Sequence, residues 1–450
     1  MHDILHLSHL RALSVQDCGD HYQIEAAGNV EPTACPSCQS ALYRHGSQRQ
    51  TYIDAPIHGK RVMLEIERKR YRCKVCGKTL FEPLPDMDGK RNMTERLVKF
   101  IEQRCLKETF VALSREVGID DKTIRHVFDD YVASKKLEVH FQTPEILGID
   151  ELKIVGEYRC MLTNIEKLSV FDLLPSRKKV ELIAYFKIMP DKSNVKVVVM
   201  DMWNVYKQVA KAEFPGRPIV ADKFHVTRMA NEALERVRKA IRKGLDTRTR
   251  LKLKDERFIL LKRKSNLSPA EQDKLTEWGA LFPDLLSAYD TKERFFGIYD
   301  HPNRHDAEVA AKDWERQLPD NVLWAFKDAR GALNSWWDEI FNIYEHPVTN
   351  AYTESVNRLA KDINRMGRGY SLEVVRARLL YDDKARDKTR QTLRRKVRKE
   401  TPTYGLADAG FMGRMARIPT TYETTIEENI IEYGPHIPTL CDLLESGYFE

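Results

Sequence analysis

The chain reads as a multidomain α+β protein: a small metal-clipped module, a helical segment, and an α/β core that a long helical insertion interrupts. Three observations carry that reading. Two Cys-x-x-Cys pairs lie near the amino end, apolar runs alternate with helical patterns from Glu145 to Asp222, and no strand-like alternation occurs between His225 and Glu354. At 450 residues, 42% hydrophobic and 31% charged, the chain has the length for about three domains and the apolar content for real cores. No run approaches the ~18 apolar residues of a spanning helix, and MHDILHLSHL lacks a basic stretch followed by an apolar one. A membrane role is therefore excluded and a cytoplasmic location expected. The expected boundaries are 1–90 for the metal module, 91–140 for the helices, 141–225 for the first part of the core, 226–345 for the insertion, 346–390 for core completion and 391–450 for a tail.

The metal module comes first. Cys35-Pro-Ser-Cys38 and Cys73-Lys-Val-Cys76-Gly each set two thiols on a tight turn, and two such turns supply the four soft ligands of tetrahedral zinc. Disulfides or redox pairs are the alternative. The 34 intervening residues exceed a short ribbon and predict a small sheet, in which Val62, Leu64 and Ile66 alternate with charged neighbours. Cys18, Cys105, Cys160 and Cys441 have no sequence partner and are expected to be buried apolar residues. Arg68, Lys69, Arg70, Arg72 and Lys74 crowd the second turn and offer a grip on phosphate.

From Asn92 the pattern turns helical. MTERLVKFIEQRC is amphipathic, and TFVALSREVGIDDKTIRHVFDDYVA reads as helix, turn and helix. Ala112 packing close, Gly118 in the turn and Ile124 as anchor have the spacing of a helix-turn-helix. Its second helix would offer Lys122, Thr123, Arg125 and His126 to a DNA groove. An ordinary helical hairpin is the alternative.

In the core, EILGID, YRCMLTNI and LSVFDLL read as three antiparallel strands, RKKVELIAYFK as a helix, and then come a strand ending in Asp201, a helix, and a strand ending in Asp222. That order is the one expected of a ribonuclease H-like sheet. Asp150 and Asp201 then end neighbouring strands, where uncompensated carboxylates are costly and a shared cation is the remedy. A third acid comes from His346–Lys361, where Pro347 and Thr349 set up a helix start and Glu354 shares a face with Asn350 and Asn357. Three hard oxygen ligands, Asp150, Asp201 and Glu354, suit magnesium or manganese. Glu151 is expected to face solvent, and Asp172 is a competing strand acid.

The insertion holds Trp278, Trp314, Trp324, Trp336 and Trp337, which points to a packed helical body, although one of these rings could stack on a flipped base. Net charge is a modest +7, yet Arg228–Lys264 holds 14 Lys/Arg against 5 Asp/Glu, and Lys384–Lys399 holds 9 against 1. Such blocks suit a polyanionic partner or plain solvated helix faces. Arg358, Lys361, Arg365 and Arg368 follow Glu354 and could hold a DNA backbone or simply be solvated. The segment Tyr422–Glu450, with 7 acids and no Lys or Arg, could be a disordered tail, a swapped arm or a damper of basic surfaces.

Taken in order, the two cysteine pairs, the helix-turn-helix, GIDE, VVVMDMW, IVADKFHV and NAYTESVNR resemble the ISL-three group of bacterial insertion-sequence transposases over about residues 30–385. The resemblance implies a DDE-type transposase that recognises the terminal inverted repeats of its element and nicks and joins DNA with magnesium. Asp150 matches the first acid and Glu354 the last. Asp222-Lys-Phe-His225 is similar to a Cys/Asp-x-x-His signature that follows the second acid in related transposases. That favours Asp201 as the second acid and leaves Asp222 as the alternative, with Asp222 and His225 supporting near the scissile strand. His225 could equally be a buried histidine satisfied by a carbonyl. The resemblance also implies at least a dimer, double-stranded DNA as both ends and target, and a bacterial, nucleoid-associated setting. A transposase-derived DNA-binding regulator and a structure-selective nuclease fit the same residues.

Overall fold

The computed structural model describes residues 4–255 and 257–382 in full, and 392–403 and 421–432 as backbone. Contacts divide the chain into two units, residues 1–141 with 361–383, and residues 142–360 with 384–450.

The first unit opens with a five-stranded sheet, β1 (Leu10–Asp17), β2 (His21–Gly28), β3 (Leu42–Ile57), β4 (Lys60–Cys73) and β5 (Thr79–Phe81), in the order β1-β2-β4-β3 with β5 also on β4. The expected alternation holds: Val62, Leu64 and Ile66 point into a core with Ile24, Leu5 and Leu10. Three helices follow, α1 (Glu95–Arg104), α2 (Phe110–Val117) and α3 (Asp121–Glu138). Thr94, Thr109 and Asp120 each accept a hydrogen bond from a backbone N–H of the first turn of one of these helices, satisfying donors the helix itself leaves open. Gly118 ends α2 at φ 77°, a left-handed turn that glycine adopts without strain. Ala112, expected to pack, is exposed; Phe110, Leu113 and Val117 form the buried stripe instead. Buried Asp54 joins sheet to helix by accepting from Thr94 Oγ1 at 2.6 Å and pairing with Arg96.

The second unit is built on β6 (Ile146–Ile154), β7 (Glu157–Asn164), β8 (Ser169–Leu174), α4 (Lys179–Lys187), β9 (Val197–Met200), α5 (Asn204–Glu213) and β10 (Ile219–Ala221). The sheet order is β10-β9-β6-β7-β8; β6, β7 and β8 pair antiparallel, while β9 runs parallel to both β6 and β10. This is the expected strand arrangement, with β6 and β9 adjacent. A helical stretch follows: α6 (Lys223–Arg242), α7 (Thr247–Asp255), α8 (Arg257–Leu261), α9 (Pro269–Leu281), α10 (Pro283–Gly297), α11 (Arg304–Arg316), α12 (Asp320–Ser335) and α13 (Trp337–Phe341). Trp278, Trp314 and Trp336 are buried there, and Trp314 donates to the Thr291 carbonyl at 2.9 Å. Trp324 departs from the expectation and is exposed. Lys292 is wholly buried, donating to the carbonyls of Leu260 and Lys262, and burial pushes its ammonium down to about 8 despite the Glu293 carboxylate beside it.

The chain returns to the sheet through α14 (Ala351–Gly367), and α15 (Leu372–Tyr381) belongs to the first unit. There Arg378 donates to the Tyr370 hydroxyl, which in turn accepts from the Phe110 N–H. Thr392–Thr403 and Thr421–Glu432 pair antiparallel. Most of the basic and acidic tail, Cys441 included, lies outside the described residues. Among the described residues, no helix is long and apolar enough to cross a membrane.

Candidate active site

Strand lengths dictate where the acids meet. Strand β9 ends at Met200, paired with Ile149 on one side and Ala221 on the other, so Asp150, Asp201 and Asp222 all lie where adjacent parallel strands give out. That end of a parallel sheet is where open α/β folds place their ligands. Asp222 also caps α6, although its bond from the Phe224 N–H is long at 3.5 Å. One turn into α6, His225 brings Nδ1 to 3.1 Å from Asp201, 3.6 Å from Asp222 and 3.8 Å from Glu354.

The early end of β9 has a second effect. Beyond Ile149 strand β6 keeps only β7 as a partner, and carbonyls on its open side need donors. Two asparagines flanking the first two turns of α14 supply them. Asn350 donates to the Ile149 carbonyl at 3.0 Å, while Asn357 donates to Asp150 Oδ2 at 2.7 Å and to the Glu151 carbonyl at 3.3 Å. Asn350 is itself held by Thr353, which bonds Thr163 of β7. Gly148 leaves room for that junction: a Cβ there would come within 2.4 Å of Thr163 Oγ1 and 2.6 Å of Thr353 Oγ1. Between the two asparagines Glu354 is held facing the aspartates.

Four carboxyls in one buried place repel one another. Burial pushes Asp201 well above the ordinary carboxylate range, and the charge of Asp150 beside it pushes the same way. Asp150 is raised mainly by burial, with Asp201 within hydrogen-bond reach, and Glu354 is pushed up to about 7 by burial and by Asp222. Burial opposes a charge on His225, but Asp222 and the other carboxylates outweigh it and the imidazole is raised. Among the described residues, Asp201 Oδ1, Asp222 Oδ2 and His225 Nδ1 are buried and make no well-directed hydrogen bond although they crowd one another, and Asp201, Asp222 and His225 offer ligand atoms within 4.8 Å of one another. Buried ligand atoms crowded in this way, two of the three groups being hard carboxylates, fit a divalent cation.

The structure thus brings together all five residues anticipated here, Asp150, Asp201, Asp222, His225 and Glu354. The competing acid Asp172 is occupied elsewhere, accepting from the Tyr185 hydroxyl at 2.9 Å. Glu151 is partly exposed and also pairs with Arg177, whose guanidinium lies over Tyr158 and Trp203. Helix α4 starts at Lys179 rather than Arg177, which leaves Arg177 free to reach Glu151.

The zinc cysteines also converge. Sγ atoms of Cys35 and Cys76 are 3.6 Å apart and those of Cys38 and Cys73 3.4 Å, close to the roughly 3.8 Å edge of a tetrahedron with zinc–sulfur bonds of about 2.3 Å. Bonds involving Ser40 lower the Cys38 thiol to about 6, while the neighbouring thiols push Cys76 up to about 11. Cys105 and Cys160 are buried as expected, whereas Cys18 is exposed. The basic cluster beside the second turn is mostly engaged within the unit. Arg68 donates to the Glu82 carbonyl, Lys69 pairs with Glu31 and Glu82, and Arg72 donates to the Gly77 carbonyl.

On α3, Lys122 and His126 are exposed, Thr123 is bonded to the capping Asp120, and Arg125 is half-buried near Asp129 and Ser371. On and just after α14, Arg358, Lys361, Arg365 and Arg368 are exposed.

Comparison with known proteins gives concordant matches. A transposase family model matches residues 147–379, a little over half of the chain. A model for the zinc-finger of transposases IS204/IS1001/IS1096/IS1165 matches residues 31–76, and one for the helix-turn-helix domain of transposase family ISL3 matches residues 82–132. Over 353 residues the chain is 24% identical to the transposase for insertion sequence element IS1001 of Bordetella parapertussis, covering 76% of this chain and 87% of that relative.

Proposed function

We propose, starting from the fact that this chain belongs to the ISL3 family of transposases, that it cleaves and joins DNA by a DDE mechanism at the acid cluster. The zinc ribbon carries structural zinc on Cys35, Cys38, Cys73 and Cys76. The observation that carries the mechanistic reading is the crowding of buried ligand atoms on Asp201, Asp222 and His225, within 4.8 Å of one another, with Asp150 and Glu354 alongside. Asp150, Asp201 and Glu354 would hold magnesium or manganese, which supplies Lewis-acid stabilisation of a phosphodiester and an activated attacking oxygen.

The protein's own groups set the geometry. Asn357 orients Asp150, Asn350 fixes the start of the helix that carries Glu354, and the histidine keeps three carboxylates within about a hydrogen bond's reach of one imidazole. Asp222, partly committed to capping α6, supports Asp201 rather than replacing it. Helix α3, through Lys122, Thr123, Arg125 and His126, reads the terminal inverted repeats, and Arg358, Lys361, Arg365 and Arg368 bind DNA backbone. Joining two ends in concert requires at least two copies of the chain, acting at the bacterial nucleoid.

The test is an in vitro reaction with magnesium or manganese, labelled element ends and a target plasmid. Joined products support the reading; cleavage without joining indicates a nuclease, and a mobility shift without cleavage a regulator. Asp201→Ala is expected to abolish nicking and leave end binding intact. Full activity in that variant would transfer the role to Asp222.

A further inference from the structure

Next to the acids the second unit opens a cleft of about 250 Å³ whose use the chemistry of the five acid-site residues does not explain. Asp201 and His225 form one side of it. Met202, Trp203, Tyr206 and Met229 supply an apolar and aromatic wall, with Arg228 among the lining residues. Its volume is about that of eight waters, room for one flat heterocycle.

Trp203 is held in place as the principal wall. Its ring meets Tyr206 edge-on, with centroids 4.7 Å apart and planes at 85°, and the Arg177 guanidinium lies 4.6 Å from its centroid. Arg177 is itself fixed by Tyr158, at 4.0 Å, and by Glu151. An aromatic ring locked on two sides loses little freedom when something stacks on it. The five insertion tryptophans, by contrast, include three that are buried, and Trp203 is the tryptophan that borders the acids.

We infer that this cleft is a nucleobase subsite: the base of a nucleotide next to the scissile phosphate leaves its helix and stacks on Trp203 between Met202 and Met229. The inference rests on the DNA-cleaving reading above and adds a substrate contact to it. A phosphodiester at Asp201 and His225 puts the base of the same or adjacent nucleotide within reach of the cleft. Extrusion costs a few kcal/mol of stacking and pairing, which a stacking platform offsets. Because every base has a π-face, this contact positions the strand and reads little sequence.

The test uses the full-length protein and duplexes copying the ends of the element that encodes it, each with a single abasic residue stepped across the cleavage position. Single-turnover nicking in manganese and duplex affinity are both measured. Trp203→Ala is expected to slow nicking of intact duplex by about 5- to 150-fold, the equivalent of the ~1–3 kcal/mol of one base stacking on an aromatic ring. Trp203→Phe is expected to recover most of that loss. At one abasic position, the wild type should be slowed to a similar degree and Trp203→Ala should add nothing further. Should Trp203→Ala fail to fold, Met229→Trp, which fills the cleft, must show the same lack of additivity. Strictly additive losses at every position, or undiminished nicking by Trp203→Ala, overturn the subsite while leaving the enzyme reading intact. Failure of the wild type to nick any duplex in manganese sinks that reading and the subsite with it.

Discussion

Replacing Glu354 by glutamine is expected to stabilise the cation-free protein. In the folded chain burial and Asp222 raise the Glu354 carboxyl from 4.5 to about 7. A raised carboxyl contributes its full share of stability below the unfolded value of about 4.5, and loses it as pH climbs through 7, because the folded state must then carry a charge it disfavours. A separation of about 2.5 units corresponds to roughly 3 kcal/mol by pH 8, and Asp150, Asp201 and His225, all shifted the same way, add to the slope. Glutamine has no charge to desolvate, so Glu354→Gln should keep most of that energy. For a unit of about 286 residues this amounts to on the order of 5 °C in the midpoint of its thermal transition at pH 8, and little at pH 4.5. The assay is calorimetry from pH 4.5 to 8 in buffer stripped of free divalent ions, with the cysteine-bound zinc left in place. Adding manganese should reverse the ranking, since the wild type gains by binding and the variant loses a ligand. A variant no more stable than wild type at pH 8 without manganese would refute the claim that these acids are gathered against their own repulsion.

Three other outcomes follow from the geometry. Asn357→Leu removes the donor to Asp150 and should raise the manganese concentration for half-maximal nicking by about 10- to 100-fold, as loss of a ligand's hydrogen-bond partner does at metal sites; an unchanged dose–response curve would show that Asp150 needs no such support. Gly148→Ala drives a methyl into Thr163 and Thr353 and should cost about 3 kcal/mol in urea unfolding, a loss that Thr353→Ala should partly relieve. Metal analysis should find one zinc per chain in the wild type and none in Cys76→Ser, with a matching loss of end binding.

Much of the acid site was legible because its signals are local. Apolar runs ending in Asp150, Asp201 and Asp222, and a helix start ahead of Glu354, can be read from a few neighbouring letters. The supporting contacts were less legible because they depend on where one strand stops beside another. Asn350 and Asn357 showed as a shared face, but their role follows from β9 ending level with Ile149, a fact of register. Glu151 read as an outward residue, but its pairing with Arg177, just short of its helix, did not show. Ala112 was misread for a similar reason. Leu113 filled the place given to Ala112, and the carbonyls of Glu82 and Gly77 engaged Arg68 and Arg72.

The bond between Asn350 and the Ile149 carbonyl spans 201 positions of sequence. At about 5–20 residues per second of synthesis, the ribosome finishes the second partner on the order of ten to forty seconds after the first. Throughout that interval the zinc ribbon is already made. The helix-turn-helix, whose Phe110 rests on Tyr370 and is bonded through it to Arg378 of α15, is completed later still, so neither unit is whole until synthesis has passed residue 378.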